Sequence, residues 1–345
     1  MLRASRTPIR DHRARAAASA VAAALLAAAC ADGPADEVLV LQTANVYGYT
    51  EDCGCRYDST GGLAKRAWVV DSLRRSRGEP VLLVDAGDFS GGETYYGSAL
   101  GRVQIEAMRM MGYDAYTLGE WDLNHGPSYV RELLEAAPEV AWVHTNYDVV
   151  GLEDRGHETL VIEKGGRRIG VLGLFNPTIL LNPGMGDSVR VEEDIVGAAR
   201  RGVEALRAEG VDAIVVLSHL SYKGDLALAE RVEGIDLIVT GHGGKSLAAP
   251  ERAAGGTWVM APGDLGRFLG VARMRFEGEP PDVNEVGGEL IVMVPSVPND
   301  AAVDSLVAAY EDEVRRTGPG RRIEGRFFRL PPEAGNAVPI ERPGG

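Results

Sequence analysis

The sequence predicts an α/β fold with two mixed sheets between layers of helices. Short runs rich in Val, Ile and Leu, typical of buried strands, alternate with longer amphipathic stretches that favour helices. Sheets patterned in this way are expected to be covered by helices on their outer faces. Six runs are predicted as buried strands: Val38–Thr43, Val81–Asp85, Ala115–Leu118, Val140–Thr145, Ala213–Ser218 and Leu237–Thr240.

Helices and a later strand set fill the rest of the body. Apolar residues at helical spacing predict six helices: Leu63–Arg75, Arg102–Met111, Ser128–Ala137, Asp194–Glu209, Leu226–Val232 and Ala301–Arg316. A hairpin over Leu160–Leu174 is expected to turn at Gly165-Gly166. A later antiparallel set is predicted for Thr257–Pro262, Phe268–Phe276 and Glu289–Val294.

The N-terminus is predicted to be a secretory signal. Five arginines precede an apolar stretch from Ala16 to Ala29, which is too short to span a membrane. The stretch stops at Cys30, and Leu26-Ala-Ala-Ala-Cys30 resembles a bacterial lipobox, whose cysteine is lipidated, although its leucine is one place further from the cysteine than usual. The alternative is ordinary cleavage with Cys30 left free. The predicted organisation is a lipoprotein signal peptide over 1–29, a tether over 30–37, one domain over 38–316 and an extended Pro/Gly-rich tail over 317–345.

Net charge limits the partners. Without residues 1–29 the chain has 31 basic and 49 acidic residues, a net charge of −18. Such an acidic chain is not expected to bind nucleic acid, or to be held electrostatically on anionic lipid. Membrane attachment would then depend on acyl chains at Cys30. The expected location is the bacterial cell envelope, lipid-anchored and facing the periplasm or the cell exterior; the sequence does not indicate an oligomeric state.

Polar residues follow the ends of several predicted strands, where function gathers in such sheets. They are Asn45, Asp88, Glu120, His219 and His242. Two imidazoles and two carboxylates among them are suitable ligands for one Zn, Mn or Fe ion. The alternative is structural: an Asp after a strand commonly caps a turn, and a His there is commonly hydrogen-bonded scaffold.

Six motifs together resemble a known superfamily. In chain order they are Val38-Leu-Val-Leu-Gln-Thr-Ala-Asn-Val-Tyr-Gly48, Gly61-Gly-Leu-Ala-Lys-Arg-Ala67, Val81-Leu-Leu-Val-Asp-Ala-Gly-Asp88, Thr117-Leu-Gly-Glu-Trp-Asp122, Val215-Val-Leu-Ser-His219 and Ile238-Val-Thr-Gly-His242. Their order and spacing resemble the calcineurin-like metallophosphatases, specifically the catalytic domain of 5'-nucleotidases and UDP-sugar hydrolases. The resemblance runs from about residue 38 to about 315 and implies a four-layer α/β/β/α sandwich.

The resemblance also implies a two-metal site that this chain has altered. Asp88, Glu120, His219 and His242 match the ligands of the second metal, with Glu120 where the family has Asn. The first metal's other ligand positions hold weak ligands or none: Asn45, Tyr47 and Gly244. One divalent metal ion is therefore expected, in a rebuilt site.

Other substitutions bear on catalysis. Trp121 stands where the family has a catalytic His, and an indole offers no acid of suitable pKa, so ordinary 5'-nucleotidase activity is not expected. Asp122 is a possible accessory residue. His125 is a candidate replacement for the lost imidazole, or a loop residue facing solvent.

A Cys-Gly-Cys segment follows the first strand. Cys53 and Cys55 are candidate thiolate ligands, a candidate redox or nucleophilic pair, or a local disulfide that staples the loop. Three functions remain open at this point. The first is a metal-dependent hydrolase of a small-molecule or protein-bound phosphate or sulfur ester. The second is a dithiol redox or metal-handling protein, and the third is a non-catalytic binding module.

Overall fold

The computed structural model describes residues 34–52, 59–91, 95–179, 181 and 183–317. Cys30, Cys53 and Cys55 lie outside these ranges, as do the predicted signal peptide and all but the first residue of the predicted tail. Predictions about the lipid anchor and the cysteine pair therefore remain predictions. None of the helices in the described ranges is long and apolar enough to cross a membrane.

Strands and helices are numbered here in chain order. The strands are β1 (Glu37–Thr43), β2 (Val81–Asp85), β3 (Ala115–Tyr116), β4 (Ala141–Trp142), β5 (Tyr147–Val149), β6 (Leu160–Lys164), β7 (Arg167–Phe175), β8 (Val189–Val191), β9 (Ala213–His219), β10 (Leu237–Thr240), β11 (Glu251–Arg252), β12 (Trp258–Met260), β13 (Phe268–Glu277) and β14 (Asp282–Val292). The helices are α1 (Leu63–Arg77), α2 (Tyr95–Met111), α3 (Glu120–Leu123), α4 (Pro127–Ala136), α5 (Ile195–Ala208), α6 (Tyr222–Ala229) and α7 (Ala301–Thr317), and a 3₁₀ turn covers Pro183–Ser188.

The strands form two six-stranded mixed sheets. The first has the order β14-β13-β1-β2-β3-β4, and its strands β1 to β4 run parallel. The second has the order β11-β12-β10-β9-β7-β6, and its strands β7, β9, β10 and β12 run parallel. β5 and β8 form a separate antiparallel pair. Each sheet therefore presents the carboxyl ends of several parallel strands at one edge.

Alternation along the strands produces the layers. In β1, Val38 and Val40 belong to the core between the sheets, whereas Leu39 and Leu41 face the helices on the outer side. In β9, Val215 and Leu217 lie in the central core, and Val216 packs outward in the cluster that includes residues of α5 and α6. A strand buried on both faces needs apolar residues at every position, which explains the unbroken Val, Ile and Leu runs. The predicted four-layer α/β/β/α fold is confirmed.

The structure also corrects several predicted elements. The run Thr257–Pro262 is not part of an antiparallel set with its successors: β12 pairs parallel with β10. Helix α2 begins at Tyr95 rather than Arg102, and α6 lies earlier than the predicted Leu226–Val232. The predicted strand Val140–Thr145 is reduced to the two residues of β4. The predicted hairpin over Leu160–Leu174 is present as β6 and β7.

Candidate metal centre

Four predicted ligand residues meet at the carboxyl ends of strands from both sheets. Asp88 follows β2 and Glu120 follows β3, whereas His219 ends β9 and His242 follows β10. One ligand atom from each residue lies within 4.8 Å of the others. The structure thus brings together the two carboxylates and two imidazoles that the sequence singled out.

Glu120 lies between the two imidazoles. Its Oε2 is 2.8 Å from His219 Nε2, and its Oε1 is 3.0 Å from His242 Nδ1. Asp88 approaches the same nitrogen of His219, with Oδ2 3.3 Å from Nε2. Asp88 and His219 are fully buried, while the His242 side chain is 30 % exposed. The cluster is therefore partly open to solvent on its His242 side, which suits a site that admits a small ligand.

A backbone carbonyl orients His219. The Nδ1 atom of His219 lies 2.7 Å from the carbonyl oxygen of Ala86. Since a carbonyl only accepts hydrogen bonds, Nδ1 carries a proton, and Nε2 is directed at the carboxylates of Asp88 and Glu120. Metal-ligating histidines commonly have this arrangement, in which the second nitrogen donates to a carbonyl or carboxylate.

Three glycines make room for this imidazole. A Cβ at Gly119 would lie 2.1 Å from Asp88 Oδ1 and 2.6 Å from His219 Cε1. A Cβ at Gly87 or at Gly241 would lie 2.7 Å from His219 Nδ1. These glycines are not among the site residues predicted from sequence, although each directly precedes a ligand candidate, as in Gly87-Asp88, Gly119-Glu120 and Gly241-His242. That repeated Gly-ligand pair is the signal that could have found them.

Asp122 fixes the two loops that carry the carboxylates. Its Oδ2 accepts hydrogen bonds from the backbone N–H of Asp88 at 2.8 Å and of Gly119 at 2.9 Å. Its Oδ1 accepts from the backbone N–H of Ser90 at 2.9 Å and from the Ser90 hydroxyl. Asp122 is fully buried and uses its acceptors on these donors, so it positions the site and is not counted among the ligand candidates.

The electrostatics of the cluster favour a bound cation. Burial raises the pKa of Asp88 to about 7, and the charge of His219 and its hydrogen bond to Asp88 oppose the shift. Burial also opposes ionisation of Glu120, but hydrogen bonds from His219 and His242 hold its pKa well below the usual range. A divalent cation would offset both buried carboxylates at once and leave the imidazoles neutral. The donor set thus fits a divalent ion chemically.

Strained backbone surrounds the cluster. Asp88 has φ 59°, His242 φ 38°, and both Asn45 and Tyr47 φ 51°. Left-handed conformations cost a non-glycine residue on the order of 1–3 kcal/mol and persist where the surroundings fix them, most often at functional sites. Here the strain lies at the loops that follow β1, β2 and β10.

The positions matched to the family's first metal are built differently. The Asn45 amide Nδ2 donates to the carbonyl of Gly263 at 3.3 Å, and its buried Oδ1 has no hydrogen-bond partner among the residues that the structure describes. Tyr47 packs its ring against Trp121. Gly244 has φ 65°, and a Cβ there would lie 2.7 Å from the Oδ2 atom of Asp264. A side chain at position 244 would therefore need a left-handed backbone conformation and a shift of the Asp264 carboxylate.

His125 is directed elsewhere. One ring nitrogen lies 3.1 Å from the Gly91 carbonyl, and the ring packs on Tyr129 with centroids 4.8 Å apart. It is not among the clustered ligand candidates of the described residues. Cys53 and Cys55 lie outside the described residues, so the proposed thiolate ligation remains a prediction.

Fold and site together define a phosphoesterase-type architecture with a candidate metal centre. No protein-family model matches the chain. The venom 5'-nucleotidase of Gloydius brevicauda is 28% identical over 262 residues, which cover 69% of this chain and 43% of that protein. The 5'-nucleotidase precursor from Thermus thermophilus superposes with a TM-score of 0.72 at 27% identity, covering 81% of this chain and 59% of that one.

A third comparison bears on the fold alone. The calcineurin-like phosphoesterase YfkN from Bacillus subtilis has a TM-score of 0.66 at 22% identity, covering 80% of this chain and 97% of that one. In sequence and fold the chain is thus similar to 5'-nucleotidases, and it shares its fold with the calcineurin-like phosphoesterase YfkN. It spans less than half of the length of the Gloydius enzyme.

Proposed function

We propose that this protein is a metal-dependent hydrolase of phosphate esters or related esters, with one divalent ion held by Asp88, Glu120, His219 and His242. The alternatives, a dithiol redox protein and a non-catalytic binding module, have no supporting observation among the described residues. The lipid anchor at Cys30 and the cell-envelope location belong to the same proposal and rest on the sequence.

The observation that carries the proposal is the orientation of His219. Fully buried His219 directs Nε2 at two carboxylates, with Asp88 Oδ2 at 3.3 Å and Glu120 Oε2 at 2.8 Å, and a bound cation would satisfy all three groups. The hydrogen bond to Ala86 enforces that orientation, and three glycines leave the space for it. Burial lowers the pKa of His219, but the charge of Asp88 and the hydrogen bonds to Asp88 and Glu120 raise it well above its usual range, so a proton occupies Nε2 without metal. A bound cation would displace that proton.

The four side chains would hold a Zn, Mn or Fe ion, which supplies Lewis-acid polarisation of a phosphoryl oxygen. Asp88 and Glu120 anchor the site electrostatically, and Asp122 keeps their loops at fixed separation. Trp121 offers no proton to a leaving group. Esters whose leaving groups depart as stable anions, such as nitrophenyl esters, should therefore react better than esters of ordinary alcohols.

Reconstitution tests the proposal. Metal-stripped protein would be reloaded with Zn, Mn or Fe and assayed on p-nitrophenyl phosphate and on alkyl phosphates. We expect metal-dependent release of nitrophenol, lowered ~10²-fold or more by Asp88→Asn. Asp154→Asn, a matched change at an exposed aspartate, should leave the rate unchanged. Metal-loaded protein that cleaves no ester in such a panel would overturn the hydrolase proposal and favour a binding module.

A further inference from the structure

A pair of aromatic rings lies directly beside the four-residue cluster. The centroids of Tyr47 and Trp121 are 5.7 Å apart, with an interplanar angle of 67°. Both residues are only partly buried, whereas core aromatics such as Trp142 and Phe89 are fully buried. Part of the Tyr47–Trp121 surface is therefore accessible to a ligand.

Asp88 fixes the position of both aromatic residues. The backbone N–H of Trp121 donates to Asp88 Oδ1 at 2.9 Å, and the backbone N–H of Tyr47 donates to the Asp88 carbonyl at 2.8 Å. Trp121 also directly follows Glu120 in the chain. The backbone of both aromatic residues is thus tied to the residues that would hold the metal.

Tyr47 adopts a costly conformation to reach this position. Its φ of 51° is in the left-handed region, where a large side chain is rarely found. The ring does not offset that cost by joining the core, because Tyr47 is absent from the buried residues that form the hydrophobic clusters. A strained residue that holds a half-buried ring next to a reactive centre points to a role in ligand binding.

The chemistry of the pair defines what it would bind. The neighbouring groups are acidic, since the carboxylates of Asp88, Glu120 and Asp264 act on the Tyr47 phenol. The two rings give an apolar surface beside an otherwise charged cluster. Such a surface binds planar rings through stacking and edge contacts.

We propose that Tyr47 and Trp121 form a subsite for a planar aromatic or heterocyclic group attached to the ester that the metal centre would cleave. The inference rests on the proposed function, since it places the scissile ester at Asp88 and the ring of the substrate on the pair. Stacking of a base on one aromatic side chain changes affinity about 5- to 150-fold. The pair should therefore favour ring-bearing ligands by at least about 5-fold.

Binding of two phosphonates separates this subsite from the metal centre. Phenylphosphonate and methylphosphonate carry the same charged group, and titration calorimetry on the Zn-loaded protein would measure both affinities. We expect phenylphosphonate to bind at least about 5-fold more tightly. Trp121→Leu, which keeps apolar volume but loses the ring, should abolish the preference, whereas Trp121→Phe should retain most of it.

The outcomes distinguish the proposed aromatic subsite from the proposed hydrolase function. Equal affinities in the wild-type protein, with ester hydrolysis intact, would overturn the subsite alone. A preference that persists in both Trp121→Leu and Tyr47→Leu would assign ring binding to other residues and also overturn it. If neither phosphonate binds to the metal-loaded protein, both the proposed ester site and the proposed subsite are overturned. Zinc content, measured on each variant, should remain that of the wild type.

Discussion

The imidazole of His219 is held between a backbone carbonyl and a carboxylate, with Nδ1 2.7 Å from Ala86 O and Nε2 2.8 Å from Glu120 Oε2. Ala86 belongs to the loop after β2 in one sheet, and His219 ends β9 in the other. This contact therefore joins the two sheets at their functional edge. Because the Ala86 carbonyl can only accept a hydrogen bond, the packing of the two sheets keeps a proton on His219 Nδ1.

The first prediction concerns metal content. We expect about one equivalent of divalent metal, since four donors converge at one point and positions 45, 47 and 244 offer weak ligands or none. Replacing His219 by Gln should lower the bound metal substantially, as measured by elemental analysis after dialysis. His157→Gln, the same change at an exposed histidine, is the matched control. Two tightly bound ions in a variant lacking both Cys53 and Cys55 would contradict the one-metal site.

The second prediction concerns the glycine that faces the cluster. In Gly119→Ala the new methyl group would lie 2.1 Å from Asp88 Oδ1, so the carboxylate must move. Overpacking of this kind costs ~1–3 kcal/mol, and we expect at least a ~5-fold loss of metal affinity with the fold retained. Competition with a chelating dye would measure the affinity, and circular dichroism the fold.

A control for the second prediction is available on an exposed strand. Gly287 lies in β14, where a Cβ would meet nothing within 4 Å. Gly287→Ala should leave metal affinity unchanged. If Gly119→Ala binds metal as tightly as Gly287→Ala, the close approach of the Gly119 backbone to the carboxylate is not required.

Much of the ligand set could be predicted from sequence, because the end of an apolar run marks the end of a buried strand. Asp88 and His242 follow unbroken apolar runs, and parallel strands within one sheet bring their carboxyl ends to one edge. The hydrophobic pattern does not reveal which carbonyl an imidazole meets, so the Ala86 contact could not be predicted. Nor could the contact between Tyr47 and Trp121, whose loops leave different strands.

Local features of the sequence explain why some helices were missed or given the wrong start. Helix α3 has four residues, too few for a helical period to be recognised. The first turns of α2 contain Gly97 and Gly101, which have low helix propensity, so the pattern favoured a later start. At Gly101 a Cβ would lie 1.9 Å from the Tyr129 hydroxyl, so the close packing of α2 against Tyr129 requires glycine at this position.

The third prediction concerns nucleotide substrates. AMP should be turned over well below the usual enzyme range of ~1–10³ per second, because its leaving group is the ribose 5'-alkoxide, which Trp121 cannot protonate. A phosphate-release assay across Zn, Mn and Fe would measure this. Nitrophenyl esters should be less affected, since their leaving group needs no proton. Turnover of AMP within the usual range would show that another residue supplies the acid.

The fourth prediction concerns stability and pH. Asp225 is fully buried and accepts a hydrogen bond from the Ser218 hydroxyl. Burial raises its pKa to about 7, against ~3.9 in an unfolded chain. Between these values the folded state binds more protons than the unfolded state, so the free energy of unfolding falls as pH rises from about 4 to about 7.

Asp225→Asn should remove that contribution, because the amide oxygen still accepts from Ser218 and carries no charge to bury. We expect the variant to match the wild-type protein near pH ~4 and to exceed it near pH ~7.5, by an amount on the order of 4 kcal/mol at most. Urea unfolding of the metal-free proteins at several pH values would measure the difference. Asp154→Asn, at an exposed site, should follow the wild-type curve. Parallel curves for Asp225→Asn and wild type would mean that Asp225 is not protonated in the folded state.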